Sequence, residues 1–277
     1  MRLALLANPR SGRGRATDVE GLLRDHGADV RRFALDERDH AVAWSPERIA
    51  VAGGDGSIGA AAEAAATAAV PLAVVPVGTA NDFARAFGLP LDLPDACRLA
   101  VTGHTTRRPE LAWVGERPFV NAASVGLAPT AARSAHGLKG LLGSVAYSVG
   151  ALHAGVAAHP VACRVRCDGD SLFQGAAWQV TVAATGAFGG GSAVDADPHD
   201  GRLDVVVIEA GSRARLVVHA YGLRAGKLEA QRGVLSARAR EVGVDTEARA
   251  FNVDGEVVDV KDARFRAQAQ AFALVTG

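Results

Sequence analysis

Three short glycine-containing segments follow apolar runs in the first part of the chain. They are Asn8-Pro9-Arg10-Ser11-Gly12, Gly53-Gly54-Asp55-Gly56-Ser57 and Gly78-Thr79-Ala80-Asn81-Asp82. Glycine lets the backbone approach a ligand closely, and N–H groups at the start of a helix bind anions. The three segments therefore predict a phosphate site, for which a pyrophosphate is the natural ligand.

Asp55 lies in the middle of the second segment and favours catalysis over passive phosphate binding. A carboxylate repels bare phosphate, so it suits a site where Mg²⁺ bridges the two or where an attacking hydroxyl must be oriented. Taken alone, the segment is equally typical of a tight surface turn. Thr79 and Asn81 offer uncharged donors. Asp82 fits a helix N-cap as well as a ligand contact, and Ser11 fits a local turn as well as a phosphate donor.

Other phosphate and catalytic motifs are weak or absent. The run Gly54-x-Gly56-x-x-Gly59 matches a dinucleotide fingerprint, but the next strand ends in Gly78 and offers no acid for a ribose. The sequence has no GxxxxGK[ST] segment, no HExxH, no paired CxxC and no GxSxG. These absences argue against a P-loop NTPase, a zinc site and an α/β-hydrolase.

Alternating apolar runs and helical patterns must position these segments. This alternation predicts a parallel sheet with both faces buried, whose ligand crevice lies at the carboxyl ends of the strands. The three glycine segments then share one edge. The predicted strands are Leu3–Ala7, Ala28–Ala34, Ile49–Ala52 and Pro71–Val77, and the predicted helices are Thr17–His26, Ile58–Ala69 and Phe83–Phe87.

The rest of the chain is dominated by strand-like segments. It predicts a mostly antiparallel β domain with two inserted helices, Leu141–Ala157 and Arg213–Leu228. We expect an α/β domain over residues 1–108 and a β-sandwich domain over residues 109–264, with residues 265–277 as a candidate return to the first. The predicted strands are Glu110–Val114, Pro118–Ala123, Ala162–Cys167, Ala177–Thr185, Leu203–Glu209, Val242–Val244, Ala248–Val253, Glu256–Val260 and Ala271–Val275.

Composition bounds the class of protein. The 277 residues include 30 basic and 30 acidic side chains, so the net charge is zero, and 49% of the residues are hydrophobic. A zero balance argues against a nucleic-acid partner, and the apolar content supports a packed core. Three cysteines are too few for a disulfide framework. The opening segment lacks a signal-peptide apolar run, which favours a cytoplasmic protein.

Six segments of the sequence together resemble the diacylglycerol kinase catalytic-domain family, which includes bacterial lipid kinases, sphingosine kinases and ceramide kinases. The resemblance implies an α/β nucleotide domain followed by a β-sandwich, with the active site between them. It also implies transfer of the γ-phosphoryl group of ATP to a lipid hydroxyl with Mg²⁺. The segments that carry the resemblance are Asn8-Pro9-x-Ser11-Gly12, GGDGS (53–57), PVGTANDFAR (76–85), FVNAASVGLAP (119–129), DPHDGRLDVVV (197–207) and NVDGE (252–256).

The resemblance also implies roles for single residues. Asp254 is the expected general base with Glu256 beside it, and Asp55 is expected to hold phosphates and metal. A second, structural Mg²⁺ maps to Asp200, with backbone oxygens near Asp197 and Arg202. The expected nucleotide-binding residues are Asn8, Ser11, Gly12, Gly53, Gly54, Asp55, Gly56, Ser57, Gly78, Thr79 and Asn81.

The residues alone leave another interpretation of Asp254 open. Asp-Gly is a favoured hairpin pair, so Asp254-Gly255 also fits an exposed β-turn. The sequence departs from the family pattern at Gly59-Ala60, where Asn-Glu is usual.

These observations lead to one main hypothesis and two alternatives. The main hypothesis is an ATP-dependent kinase of a diacylglycerol-like lipid, peripheral to the membrane when acting. It implies a lipid substrate and transient contact with a membrane surface, and it is compatible with a homodimer. The alternatives are a kinase of a soluble acceptor, such as NAD or a sugar phosphate, and a non-catalytic lipid- or nucleotide-binding relative.

Overall fold

A computed structural model of the chain describes residues 1–7, 16–127, 159–185, 187–188, 192–193, 197–213, 215–216, 219 and 228–277. The first glycine segment, with Asn8, Ser11 and Gly12, lies outside these residues, as does the predicted helix Leu141–Ala157. Most of the predicted helix Arg213–Leu228 lies outside them too.

The first part of the chain forms a sheet with helices on both faces. The strands run in the order β2-β1-β3-β4-β19-β5. All neighbouring strands are parallel except β5, which is antiparallel to β19. The elements are β1 (Arg2–Ala7), α1 (Ala16–Asp25), β2 (Asp29–Ala34), α2 (Arg38–Ala43), β3 (Arg48–Gly53), α3 (Asp55–Ala68), β4 (Leu72–Pro76), α4 (Asp82–Ala86), α5 (Leu93–Thr102), β5 (Thr106–Arg107) and β19 (Leu274–Val275).

Burial on both faces explains why β1, β3 and β4 are almost entirely apolar. Alternate residues of a strand point to opposite faces. In β1, Leu3 and Leu5 pack in one hydrophobic cluster, whereas Ala4 and Leu6 pack in another. This two-sided core is the structural cause of the apolar runs in the sequence, and it confirms the predicted α/β class.

The second part of the chain forms a curled antiparallel sheet. Nine strands follow the order β17-β16-β8-β10-β9-β15-β18-β6-β7, and β13 and β14 extend it from β10. The elements are β6 (Leu111–Val114), β7 (Arg117–Phe119), β8 (Ala122–Gly126), β9 (Val161–Cys167), β10 (Asp170–Ala183), β13 (Leu203–Glu209), β14 (Val234–Ala239), β15 (Glu241–Thr246), β16 (Ala250–Val253), β17 (Glu256–Asp259) and β18 (Arg264–Gln268). A separate short pair consists of β11 (Ala187–Phe188) and β12 (Ser192–Ala193).

Two predicted element boundaries are wrong in an informative way. The predicted strand Pro118–Ala123 is two strands, because Val120 and Asn121 turn their backbone N–H groups toward Asp254 instead of a neighbouring strand. Helix α3 begins at Asp55 rather than at Ile58, so the last three of the five residues of the second glycine segment are helical. The sequence analysis also did not predict α2, α5, β5, β14 and β18.

Helix α3 joins the two sheets. Gly59 lies so close to β7 that a Cβ at this position would be 2.6 Å from the Pro118 carbonyl oxygen. Farther along the helix, Glu63 Oε1 accepts a hydrogen bond from Trp113 Nε1 of β6 at 3.0 Å. The small residue at position 59, which departs from the family pattern, therefore lets the helix approach the second sheet.

Candidate active site

The second and third glycine segments touch at the carboxyl ends of β3 and β4. These strands are parallel neighbours, and Gly53 is in register with Pro76. The Val77 N–H donates to the Gly53 carbonyl oxygen at 3.0 Å. A Cβ on Gly78 would lie 2.5 Å from the Gly54 Cα, so the two loops pack backbone against backbone. This contact requires glycine, and it lies next to the first turn of α3.

The polar residues of these loops differ in their surroundings. Ser57 is buried, and a Cβ on Gly53 would lie 2.6 Å from its Oγ. Thr79 is exposed. Asn81 has φ of 53°, occupies the N-cap position of α4 and donates from Nδ2 to the Gly78 carbonyl oxygen at 3.1 Å. Asp82 is therefore the first residue of α4 and not its N-cap.

Asp55 lies at the first helical position of α3 and is bound from both domains. Its Oδ1 accepts hydrogen bonds from the Phe83 N–H at 2.9 Å and from Asn121 Nδ2 at 3.0 Å. The positive end of the α3 dipole lies beside this side chain. Asp55 thus stands where the glycine loops, α4 and the second sheet meet.

Asp254 lies in the turn of the β16–β17 hairpin, with φ of 48°. Its Oδ2 accepts a hydrogen bond from the Val120 N–H at 2.8 Å, and its Oδ1 accepts from the N–H groups of Asn121 at 2.9 Å and Ala122 at 3.1 Å. The side chain is buried. Asp254-Gly255 is therefore a hairpin turn, but not the exposed one that the residues alone allowed.

Burial raises the pKa of Asp254 from 3.8 to about 7, and the nearby Asp55 carboxylate adds to the increase. The three backbone N–H groups oppose it. A carboxyl group with a pKa close to neutral can exchange a proton at physiological pH. Asp254 therefore meets the electrostatic requirement for a general base.

The raised pKa of Asp254 predicts a pH dependence of stability. The folded protein holds a proton that the unfolded chain releases above about pH 4, so this contribution is full below about pH 4. It is lost as the pH rises through about 7, and it amounts to at most about 4 kcal/mol. The free energy of unfolding of wild type should therefore fall between pH 5 and 8 relative to that of Asp254→Asn, as measured by urea unfolding. A constant difference between the two proteins across this range would contradict the prediction.

Glu256 extends from the same hairpin over the first turn of α3. A Cβ on Gly56 would lie 2.8 Å from the Glu256 side chain. Glu256 Oε2 also accepts a hydrogen bond from Arg117 Nη2 of β7 at 2.6 Å. The structure thus brings Asp55, Asp254 and Glu256 to one place together with an arginine that the sequence analysis did not identify.

Asn121 is the second residue that the sequence analysis missed. It contacts both Asp55 and Asp254, although they are 66 and 133 residues away in the chain. The only signal for it was its position in the FVNAASVGLAP segment of the resemblance. Nothing in its own spacing suggests a role.

The turn that contains Asp197, Asp200 and Arg202 is held by its own contacts. Asp197 Oδ1 accepts from the His199 N–H at 3.1 Å, and Asp200 Oδ1 accepts from the Arg202 N–H at 2.9 Å. Arg238 Nη2 donates to Asp200 Oδ2 at 2.5 Å. These contacts close the turn against β14.

Glu110 is buried against the same turn. Its Oε2 accepts from the Gly201 N–H at 2.8 Å, whereas Oε1 is buried without a hydrogen-bond partner. Burial raises its pKa to about 8, opposed by the Gly201 N–H and reinforced by the carboxylates of Asp200, Asp204 and Asp197. The unpartnered Oε1 among these carboxylates is the feature that favours a cation here. Both Asp200 oxygens are already bonded, and no three His, Cys, Asp or Glu side chains of the described residues form a group that could hold a metal ion.

Mg²⁺ also fits the first site. Asp55 Oδ2 accepts no hydrogen bond from the described part of the chain, so a hard oxygen ligand is available beside the glycine loops. Mg²⁺ is commonly held by one or two carboxylates together with substrate phosphates, and Asp55 could supply one such ligand.

Comparison with protein families finds two matches that together span most of the chain. The diacylglycerol kinase catalytic domain matches residues 2–111. The YegS C-terminal NAD kinase beta sandwich-like domain matches residues 121–276.

Comparison with individual proteins agrees with these matches. A protein from Pseudomonas aeruginosa named "probable lipid kinase YegS-like" is 30% identical over 275 residues, covering 96% of this chain and 85% of that protein. A diacylglycerol kinase from Mycobacterium tuberculosis is 29% identical over 234 residues, covering 78% and 76%. The crystal structure of a diacylglycerol kinase from Bacillus anthracis superposes with a TM-score of 0.75 at 20% identity, covering 100% of this chain and 97% of that one.

Proposed function

Since the chain belongs to the family of diacylglycerol kinases and related lipid kinases, we propose that it transfers the γ-phosphoryl group of ATP to the hydroxyl of a diacylglycerol-like lipid, with Mg²⁺. One observation carries this proposal: Asp55 at the glycine loops is hydrogen-bonded to Asn121, whose backbone N–H binds Asp254 of the second domain. The two substrates would meet at this junction.

We propose that ATP binds along the edge of the first sheet where the glycine loops follow β3 and β4. Gly53, Gly54, Gly56 and Gly78 belong to the two loops at this edge, and the N-terminus of α3 favours negative charge. The exposed hydroxyl of Thr79 is available to the nucleotide. Ser57 and Asn81 support the loops, and the expected contacts of Asn8, Ser11 and Gly12 complete the set.

Asp254 serves as the general base. Its Oδ2 accepts one N–H and retains a lone pair for the lipid hydroxyl. As the hydroxyl oxygen forms its bond to the γ-phosphorus, the bond from that phosphorus to the bridging oxygen of ADP breaks, and the hydroxyl proton passes to Asp254. Glu256, half-exposed beside Gly56, adds a second carboxylate at the mouth of the site.

Asp55 would hold the Mg²⁺ of the nucleotide through Oδ2. When bound, the ion would neutralise the negative charge that develops on the phosphate oxygens. The two hydrogen bonds to Oδ1 restrict rotation of the carboxylate and so direct Oδ2.

A second Mg²⁺ is proposed at the turn of Asp197, Asp200 and Arg202, next to Glu110. Saturating MgCl₂ should raise the melting temperature of wild type by about 5 °C, because a ligand at one hundred times its Kd adds about 2.7 kcal/mol of stability. Asp200→Asn should lose this increase in a thermal shift assay. Asp245→Asn, which also removes one partner of an exposed salt bridge, should keep it. An equal increase in all three proteins would exclude the site.

Partners follow from the proposed substrate. A lipid acceptor requires contact with a membrane surface, so we propose a cytoplasmic protein that is peripheral to the membrane when it acts. None of the helices in the described part of the chain has the length and apolar character needed to cross a bilayer.

A phosphoryl-transfer assay tests the proposed function directly. The purified chain is incubated with radiolabelled ATP, MgCl₂ and vesicles that contain diacylglycerol, phosphatidylglycerol or a sphingoid base. We expect labelled phosphate on a lipid, with diacylglycerol preferred. Parallel reactions with NAD and with a sugar phosphate test the soluble-acceptor alternative. Nucleotide binding without transfer to any acceptor would favour a non-catalytic relative.

A further inference from the structure

We propose that Asn121 is a positioning residue that fixes the Asp55 carboxylate relative to Asp254 across the domain boundary. The proposal rests on the proposed kinase function and adds a requirement to it: the catalytic geometry depends on a neutral side chain that links the two carboxylates.

All four polar groups of Asn121 have partners. Its backbone N–H donates to Asp254 Oδ1 at 2.9 Å, and its carbonyl oxygen accepts from the Ala184 N–H at 2.8 Å. Its Nδ2 donates to Asp55 Oδ1 at 3.0 Å, and its Oδ1 accepts from Thr185 Oγ1 at 2.8 Å. The side chain is 2% exposed, so water cannot replace these partners. A buried polar residue with every group satisfied adopts a single orientation.

Asp55 and Thr185 together hold the Asn121 amide in one orientation. The Asp55 carboxylate can only accept, so the NH₂ group faces it, and the Thr185 hydroxyl donates to the amide oxygen at the other end. The Asn121 amide thus donates a hydrogen bond without adding charge between two carboxylates. An aspartate at this position would place a third negative charge there, and an apolar residue would leave Asp55 held by Phe83 alone.

Asp55 is therefore held by one donor from each domain. Phe83 belongs to α4 of the first domain, and Asn121 belongs to the second. The oxygen proposed to face the nucleotide is directed only when both donors are in place. The Asp55 carboxylate is therefore fully oriented only when the second domain is docked against the first.

Steady-state kinetics of four variants tests the proposal. Asn121→Ala should lower kcat about 100-fold and leave the KM for ATP within about 3-fold, because misplacement of a reacting group affects the chemical step. Thr185→Val should lower kcat about 10-fold in the same way, and Thr185→Ser should restore it. The control is Thr181→Val. Thr181 is a buried residue of β10 whose hydroxyl accepts a hydrogen bond from Gln179 Nε2 at 3.0 Å, and its replacement should leave kcat unchanged.

The split between kcat and KM separates positioning from a general loss of structure. A Thr181→Val protein should keep the wild-type kcat even if its stability is reduced as much as that of Asn121→Ala. An Asn121→Ala enzyme with wild-type kcat would overturn the proposal.

A double-mutant cycle tests the same contact without catalysis. The free energies of unfolding of wild type, Asp55→Ala, Asn121→Ala and the double variant are measured in urea. The losses in the two single variants should not add up in the double variant, because each single variant already breaks the hydrogen bond. Additive losses would overturn the positioning role even if the wild type phosphorylates no lipid. If the wild type fails to phosphorylate a lipid, the proposed function is rejected. The double-mutant cycle then still tests the contact between Asn121 and Asp55.

Discussion

Replacing Asp55 with Asn is expected to lower kcat for lipid phosphorylation by about 1000-fold while the protein stays folded. The substitution keeps an oxygen that can accept the hydrogen bonds from Phe83 and Asn121, so the contacts at Oδ1 can survive. It removes the negative charge from the other end of the side chain, where Mg²⁺ would bind. The loss should therefore appear in the chemical step and not in the fold.

The matched control for this prediction is Asp95→Asn. Asp95 is an exposed carboxylate in the first turn of α5, paired with Arg98 at 2.8 Å. The control should keep kcat within about 2-fold, because exposed ion pairs contribute little. Kinetics and circular dichroism on the three proteins give the comparison. Retention of kcat by a folded Asp55→Asn protein would show that this carboxylate has no catalytic role.

Replacing Gly78 with Ala is expected to raise the Kd for ATP about tenfold or more. The new Cβ would lie 2.5 Å from the Gly54 Cα and 2.7 Å from Asn81 Oδ1, so the two glycine loops must separate. Backbone atoms cannot rotate away as a flexible side chain can, and overpacking of this kind costs about 1–3 kcal/mol. Part of that cost should appear as a lower melting temperature, and part as lost nucleotide affinity.

Gly21→Ala provides the same substitution in a place with free space. Gly21 lies within α1, and a Cβ there would meet no atom within 4 Å. Alanine is the better helix former, so this control should gain about 0.5–1 kcal/mol of stability and leave ATP binding unchanged. Calorimetric titration with ATP and thermal unfolding distinguish the two proteins. If Gly78→Ala bound ATP as tightly as wild type, close contact between the two loops would not be needed for nucleotide binding.

Local patterns were sufficient to predict the central strands of the first domain. β1, β3 and β4 are apolar on both faces, and the glycine segments follow β3 and β4 directly, so the position of Asp55 could be predicted from neighbouring residues. The start of α3 was missed because Gly-Gly-Asp-Gly resembles a loop. The helix nevertheless begins there, with the Ser57 N–H bonded to the Gly54 carbonyl oxygen.

The contacts of the second domain could not be predicted in the same way. Asp254 is an ordinary Asp-Gly turn by local criteria, and only its three bonds to residues 120–122 make it a buried acid. Those partners are more than 130 residues away, so no local pattern predicts them. Asn121 and Arg117 were missed for the same reason, since each acts through a partner from a distant element.

The position of β19 has a consequence for synthesis of the chain on the ribosome. Leu274 pairs with Leu72 of β4 and with Arg107 of β5, so the first sheet receives an inner strand from beyond the whole of the second sheet. Until that strand emerges, the nascent α/β domain presents an open strand edge, which invites pairing with other chains. The domain that is translated first is therefore completed last. While the antiparallel sheet is being made, the edge of β4 that faces away from β3 must stay unpaired.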